Sequence, residues 1–438
     1  MKWFAGALLI LAISLALELP LLAYAMYVLL GLLLVSRVLS RKWVSNLVAE
    51  RECQRSQVEI GDKLAVSVKI RNDGPLAIPW LLVEDLLPQP TALHPAHRVR
   101  VDGDRLKITA LGRGKGKLLL YQLQFPMRGY YQIGPVVFET GDLFGLHRRF
   151  AVETEPHFVL VLPKVVTVEG YDLASPRPIG EIRLTHRIYE DPTRISGVRL
   201  YQRGDPLSRI HWKATARTGV LHSKTFEPSV VAGATILLDY HSGNYPSRTE
   251  PARSEMAITT AASLAAAVDQ LGQQVGLVSN ARDAVDRIRT EGWQTDPRTR
   301  GLARQQSAML EESDRLRPVI VPTRRGGEQL PLILETLARA ELTDGFSVSQ
   351  LLSEVEGRLP RDATVVAILG AVSEDTVLAL AALRRRGYSV SAIMIVWDEN
   401  EYLDALARFA PARIELRRVS DEASLAALCQ RQLARGIG

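Results

Sequence analysis

The stretch that decides the fold is SGVRLYQRGDPLSRIHWKATARTGVLHSKTFEP, residues 196–228. Arg, Lys and His crowd it, and only Asp205 and Glu227 oppose them. Its middle has a clean local reading. Asp205 can cap the free N–H groups of a helix, and Pro206 suits the first helical position, where its missing N–H costs nothing. Leu207, Ile210 and Ala214 then fall on one face at helical spacing. Gly219, just past Arg217, is a left-handed stop. A strand over residues 220–226 follows. Trp212, a large aromatic amid charges, is expected to lie buried on that helix.

Downstream the pattern alternates between strand and helix. Strands are expected over residues 235–239, 275–278, 364–369 and 390–396. Helices are expected over 254–271, 302–316, 329–340 and 375–385, the last with Leu378 and Leu383 inward and Gly387 after it. Such alternation predicts a parallel sheet with helices on both faces. Residues 282–325 are arginine-rich and carry little periodicity in their middle.

Upstream, residues 58–166 read as all-β. Leu64, Val66, Val68 and Ile70 alternate with polar or small residues, as do Leu119, Tyr121, Leu123 and Phe125, and Asn72-Asp73-Gly74-Pro75 is turn chemistry. Short strands at regular spacing predict an immunoglobulin-like sandwich. The Gly112-Arg113-Gly114-Lys115-Gly116 cluster is a turn and not a phosphate loop, because it lacks the Gly-Lys-Ser/Thr ending and opens no helix.

Residues 3–35 are almost continuously apolar, broken by Glu18 and Pro20. One straight helix of that length would run to about 50 Å, beyond a hydrocarbon core of ~30 Å. A hairpin resolves this: residues 3–17, a turn at 18–20, and a second leg over 21–39. Lys2 flanks one end and Arg37, Arg41 and Lys42 the other, which by the positive-inside rule places both ends in the cytoplasm. The rival reading is a signal peptide cleaved after Ala23-Tyr24-Ala25, but the apolar run continues past that site to Val35.

The chain has 438 residues, enough for two or three domains, and a net charge of +6. That small excess favours anionic surfaces and does not by itself argue for nucleic acid. Cys53 and Cys429 fall in different expected domains, which excludes a disulfide framework or a structural zinc site.

Arg199, Tyr201, Gly204-Asp205, Arg209-Ile210-His211-Trp212 and Ala216-Arg217 stand at the spacings of a bacterial family signature. The chain here resembles the family catalogued as domain of unknown function 58. Arg128-Gly129, Gly134-Pro135, Asp142-Leu143-Phe144-Gly145-Leu146 and Leu162-Pro163 fit the same pattern. The resemblance implies a von Willebrand factor type A-like C-terminal domain. The expected architecture is therefore multidomain α/β plus all-β: a two-helix membrane hairpin over 1–42, a β-sandwich over 50–166, the signature segment over 167–234, and a type A-like parallel-sheet domain over 235–438.

In the type A fold an Asp-x-Ser-x-Ser run, a distant threonine and a distant aspartate hold a divalent cation. Here the run is Asp239-Tyr240-His241-Ser242-Gly243, and Gly370-Ala371 stands where the distant aspartate is expected. Histidine is a poor replacement for hard oxygen ligands, so no metal or other cofactor is expected. Asp239, His241 and Ser242 are too close in sequence for a triad, which draws on separate segments. Arg203-Gly204-Asp205 is an adhesion tripeptide only by coincidence.

Two functions stand. The first is a membrane-anchored, multi-pass, cytoplasm-facing interaction protein without catalysis, which the resemblance makes an adaptor or client of a MoxR-type AAA+ ATPase. Arg199, Tyr201, Gly204, Asp205, Arg209, Trp212 and Arg217 would then form a partner-binding surface, a structural clasp, or both. The alternative is metal-dependent ligand binding or hydrolysis at a crevice around Asp239, with Ser242 beside it.

Overall fold

A computed structural model describes residues 2–87, 99–142, 147–152, 154–168, 189–202, 210–229, 233–286, 316–361 and 363–428. The expected helix over 302–316, apart from Leu316, the motif residues 143–146 and Cys429 lie outside them. The chain divides into two compact units, Met1–Pro163 with Ala284–Asp314, and Lys164–Asp283 with Arg315–Gly438.

The first unit opens with two helices, α1 (Lys2–Ala16) and α2 (Pro20–Ser45), packed against each other. Glu18 takes a left-handed conformation in the turn, and Pro20 opens α2. α2 is long and apolar enough to cross a membrane, whereas α1 has only 15 residues. The second leg does not end near Leu39 but runs to Ser45. The reason is a change of solvent along one face: Ser36, Ser40 and Trp43 are buried, and Leu39 and Trp43 join the core of the β domain.

That domain contains β1 (Leu47–Cys53), β2 (Gln57–Glu59), β3 (Lys63–Asn72), β4 (Ile78–Asp85), β5 (Arg100–Gly103), β6 (Leu106–Leu111), β7 (Gly116–Gln124), β8 (Gly129–Ile133), β9 (Val136–Gly141), β10 (Arg148–Val152) and β11 (His157–Leu162). Two four-stranded antiparallel sheets, β1-β3-β7-β5 and β10-β9-β4-β6, and a small β2-β11-β8 sheet contribute to one core. The period-2 pattern is satisfied: Leu64, Val66, Val68 and Ile70 point inward from β3, opposite Leu119, Tyr121 and Leu123 from β7. Within this core Arg51 pairs with the buried Asp85, which also accepts the Tyr121 hydroxyl at 2.7 Å.

The second unit holds an antiparallel arm, β12 (Tyr189–Leu200) and β13 (His222–Ser229), with α3 (Trp212–Thr218) between them in sequence. A six-stranded sheet follows. It is built from β14 (Gly233–Leu238), β15 (Gln274–Ser279), β17 (Val319–Arg324), β19 (Thr364–Leu369), β20 (Ser389–Ile395) and β21 (Glu415–Val419), in the order β17-β15-β14-β19-β20-β21. The expected all-parallel sheet is corrected at one edge, where β17 runs antiparallel to β15. Two-residue strands β16 (Arg282–Asp283) and β18 (Ala340–Glu341) pair apart from this sheet.

The helices are α4 (Ala252–Gln270), α5 (Gln329–Arg339), α6 (Val348–Val355), α7 (Glu374–Arg385), α8 (Glu399–Phe409) and α9 (Glu422–Ala426). They serve two separate apolar clusters, one with α4 and α5 and one with α6, α7 and α8. Those clusters take alternate residues of the strands, Ile236 and Leu238 on one face and Leu237 on the other, so the sheet is covered on both faces. On α7, Val377, Leu380 and Leu383 face inward. Leu378 is exposed, against expectation, because it sits one residue, about 100°, off that stripe.

Candidate functional site

Two places could carry function: the arm that holds the signature, and the carboxyl ends of the parallel strands. Gly204, Asp205 and Arg209 lie outside the described residues. The described signature helix is α3, which starts at Trp212 and is capped by His211, whose Nδ1 accepts from Ala214 N at 3.0 Å. Ile210, expected on a helical face, is instead buried in an isolated bridge to Ser223. His211 N donates to His222 O at the start of β13, and Tyr201 N to Leu221 O just before it. Gly219 ends α3 in the left-handed region at φ 73°, as expected.

Trp212 is 67 % exposed, which corrects the expectation of burial. Among the described residues the seven-residue helix lies against β13, with no second layer to bury an aromatic on its outer face. Val198, Leu200, Val220 and Leu221 are exposed on the same arm, Leu200 at 61 %. Arg199 and Arg217 are exposed as well, and Arg199 donates to Leu200 O at 3.2 Å. Tyr201 is half-buried. Residues 197–202 and 210–224 contain four Arg or Lys and no acid. Among these described residues the result is an apolar surface with basic neighbours.

The second place is the switch point between β14 and β19, where a doubly wound sheet receives ligands. Asp239 follows β14 and is fully buried. Its Oδ1 accepts from His241 N at 3.2 Å and Asn280 Nδ2 at 3.1 Å, and its Oδ2 from Asn244 Nδ2 at 2.7 Å. Burial pushes its carboxyl above the usual carboxylate range, and the same N–H donors oppose that shift. Asn280 is fixed in turn, accepting from Tyr240 N and donating to Phe346 O.

A divalent cation does not fit these residues. Among the described residues, no three His, Cys, Asp or Glu side chains are grouped to hold one. At Gly370 a Cβ would meet Tyr245 Cζ at 2.7 Å and Asn244 O at 2.8 Å, so a carboxylate there has no room. Tyr245, buried, donates its hydroxyl to Asp239 O at 2.6 Å. Ser242 is held by its backbone, its N donating to Thr343 O at 2.8 Å. His241 Nδ1 accepts from Gly243 N within its own turn, and its contact with Asp239 runs through its backbone N–H.

The positive charge at these strand ends comes from Arg253, at the start of α4. Its side chain is 3 % exposed; Nε donates to Ile395 O at 2.7 Å, Nη2 to Gly370 O, and Nη2 pairs with Glu401 at 2.6 Å. One planar guanidinium therefore joins the ends of β19 and β20 to α8. Sequence reasoning passed over Arg253, since its partners lie 117–148 positions away.

The uncharacterized protein YeaD of Bacillus subtilis is 24 % identical over 261 residues, which is 59 % of this chain and 62 % of that protein, less than two thirds of its length. Among solved structures, the CARDB domain of a Pyrococcus furiosus protein aligns over 26 % of this chain and 87 % of its own at 17 % identity, with a TM-score of 0.17. Proximal thread matrix protein 1 from the mussel byssus aligns over 46 % of this chain and 47 % of its own at 14 % identity, with a TM-score of 0.29. Both scores are too low to assign a fold. The exposed tryptophan of the arm and the first sheet strands after it, β14 and β15, fall where a family match does: residues 197–296 match the family described as protein of unknown function DUF58.

Proposed function

We propose that this chain is a membrane-anchored interaction protein that docks a protein partner, a MoxR-type AAA+ ATPase, on its β12–β13 arm. The observation that carries this reading is the exposure of Trp212 beside Leu200 and Leu221 within a basic surround. Exposed apolar clusters rimmed by polar residues mark interaction sites, and Trp, Tyr and Arg dominate the energetics of interfaces. The partner surface it fits is an apolar pocket with an acidic rim. The same exposure favours docking over clasp for Trp212 and Arg217. An adaptor or client role without catalysis accords with an Asp239 crevice filled by Tyr245 and Asn244.

The finer architecture belongs to the same reading. The two antiparallel sheets are taken as an immunoglobulin-like sandwich, and the six-stranded domain as type A-like. α1 and α2 are taken as a hairpin that enters and leaves the membrane from the cytoplasmic side, with Lys2 at one end and Arg37, Arg41 and Lys42 at the other.

The test is capture of the cell's own MoxR-type ATPase by the full chain in mild detergent, with and without a slowly hydrolysed ATP analogue. Trp212→Ala and Arg217→Ala are expected to melt like the parent and to lose the ATPase, because exposed substitutions change stability by about 0.5 kcal/mol or less. Equal capture by both variants would overturn the arm as the docking site. So would a Trp212→Ala chain that unfolds.

A further inference from the structure

We infer that β10, the edge strand at the foot of α2, lies in the headgroup layer and binds anionic phospholipid through Arg148 and Arg149. The inference rests on the membrane reading of α2 and adds to it a second, sheet-borne contact with the bilayer. Three observations within the first unit carry it.

The first is length. The apolar part of α2, residues 21–35, spans about 22 Å at 1.5 Å per residue. A hydrocarbon core of about 30 Å demands roughly five residues more, which brings the boundary to about Ser40. Tilting the helix shortens its reach along the membrane normal and deepens the deficit. Residues 36–40 therefore sit at the membrane boundary, with Arg37 able to extend its guanidinium towards the phosphates.

The second is a contact. Ser36 Oγ and His147 Nδ1 share a hydrogen bond at 3.1 Å, and α2 packs on β9 and β10. The start of β10 is thereby held level with the residues that the bilayer covers.

The third is chemistry. β10 begins Arg148-Arg149-Phe150, is paired among the described residues on one side only, to β9, and leaves Arg148 exposed with Glu139 at 3.5 Å as its acidic neighbour. Arg148 and the half-buried Phe150 share one face of this edge strand and Arg149 lies on the other, so the strand's open rim is flanked by two guanidiniums for phosphate, with Phe150 as apolar surface for the glycerol level. Arginine suits this role because its fork takes phosphate oxygens in pairs.

The test uses the full chain in nanodiscs of phosphatidylcholine alone and of phosphatidylcholine with phosphatidylglycerol, with hydrogen exchange read at β10 and, as a control, at β3 and β7. Exchange at β10 is expected to slow at least severalfold in the anionic discs, and high salt should reverse the slowing. An Arg148→Glu, Arg149→Glu chain should lose the difference between lipids while β3 and β7 exchange as in the parent. Arg148→Gln, Arg149→Gln provides a milder variant should the reversal disturb the sandwich. Identical β10 exchange in both lipids, or lipid dependence that survives both substitutions, would overturn the inference while leaving the membrane anchor standing. A chain that neither disc retains would overturn the anchor and the inference together.

Discussion

Replacing Arg253 by methionine isolates what the guanidinium does at the strand ends. Methionine keeps much of the aliphatic stem, so the loss is chiefly polar. Gly370 O and Ile395 O each lose a charged donor inside the protein, at about 1–3 kcal/mol apiece. Glu401 also loses its partner, but its side chain is 39 % exposed and water can take over, so that share is under about 1 kcal/mol. The expected cost is therefore about 2–6 kcal/mol, carried chiefly by the carbonyls. Arg253→Lys should lose most of it too, since one ammonium cannot serve two carbonyls and a carboxylate with a planar fork. Glu401→Gln should cost under about 1 kcal/mol. Because the chain has two units, global unfolding is a poor gauge. Hydrogen exchange of β19 and β20 amides in the full chain is direct, and 3 kcal/mol corresponds to roughly a hundredfold faster exchange, at 1.4 kcal/mol per tenfold. Exchange of Arg253→Met within a few-fold of the parent would refute the argument. So would Glu401→Gln matching it, because the ion pair and not the carbonyls would then be decisive.

Three further outcomes are expected. The Asp239 carboxyl is held above its ordinary range, so its contribution to stability is fully present below about pH 4 and is lost as pH rises through the folded value; Asp239→Asn should accordingly gain in melting temperature relative to the parent as pH rises, and a flat or opposite trend would show that the N–H donors outweigh burial. Titration of magnesium, calcium or manganese should leave the melting temperature of the chain unchanged, whereas a bound ion at a hundredfold excess over Kd would add about 2.7 kcal/mol; a saturable rise abolished by Asp239→Ala would contradict the filled crevice. Protease added to intact spheroplasts should leave the chain uncut if residues beyond Lys42 face the cytoplasm, and external removal of the soluble units would reverse the assigned topology.

Much of the strand pattern was legible because each strand's burial is a local rhythm. Val66 and Val68 alternate with lysine and serine, and the run from Thr364 to Leu369 is apolar after its threonine and stops at glycine, so its limits match those expected. The extension of α2 was readable too, in the helical spacing of Ser36, Ser40 and Trp43, but small polar residues carry no hydrophobic signal until a sheet is placed against them. The candidate sites were harder. Trp212 was assigned to a core by its chemistry alone, and only the thinness of the arm leaves it outside. Asp239 was found from its place after an apolar strand, yet its partner Asn280 and the neighbouring Arg253 network arise from crossover connections that bring distant residues to one sheet end. No local period encodes such meetings.

Between the last residue of α2 and the first of β1 there is only Asn46. Its amide donates to Lys42 O at 2.7 Å, and its carbonyl accepts from Asp73 N at 2.9 Å. The joint has no slack, and Trp43 wedges it from the side. On the proposed membrane reading, a change in how steeply α2 leans would carry the β domain with it, as a hand turns with a locked wrist. On that reading the packing and interfacial anchors that set the lean become a mechanical input to everything the β domain presents to the water.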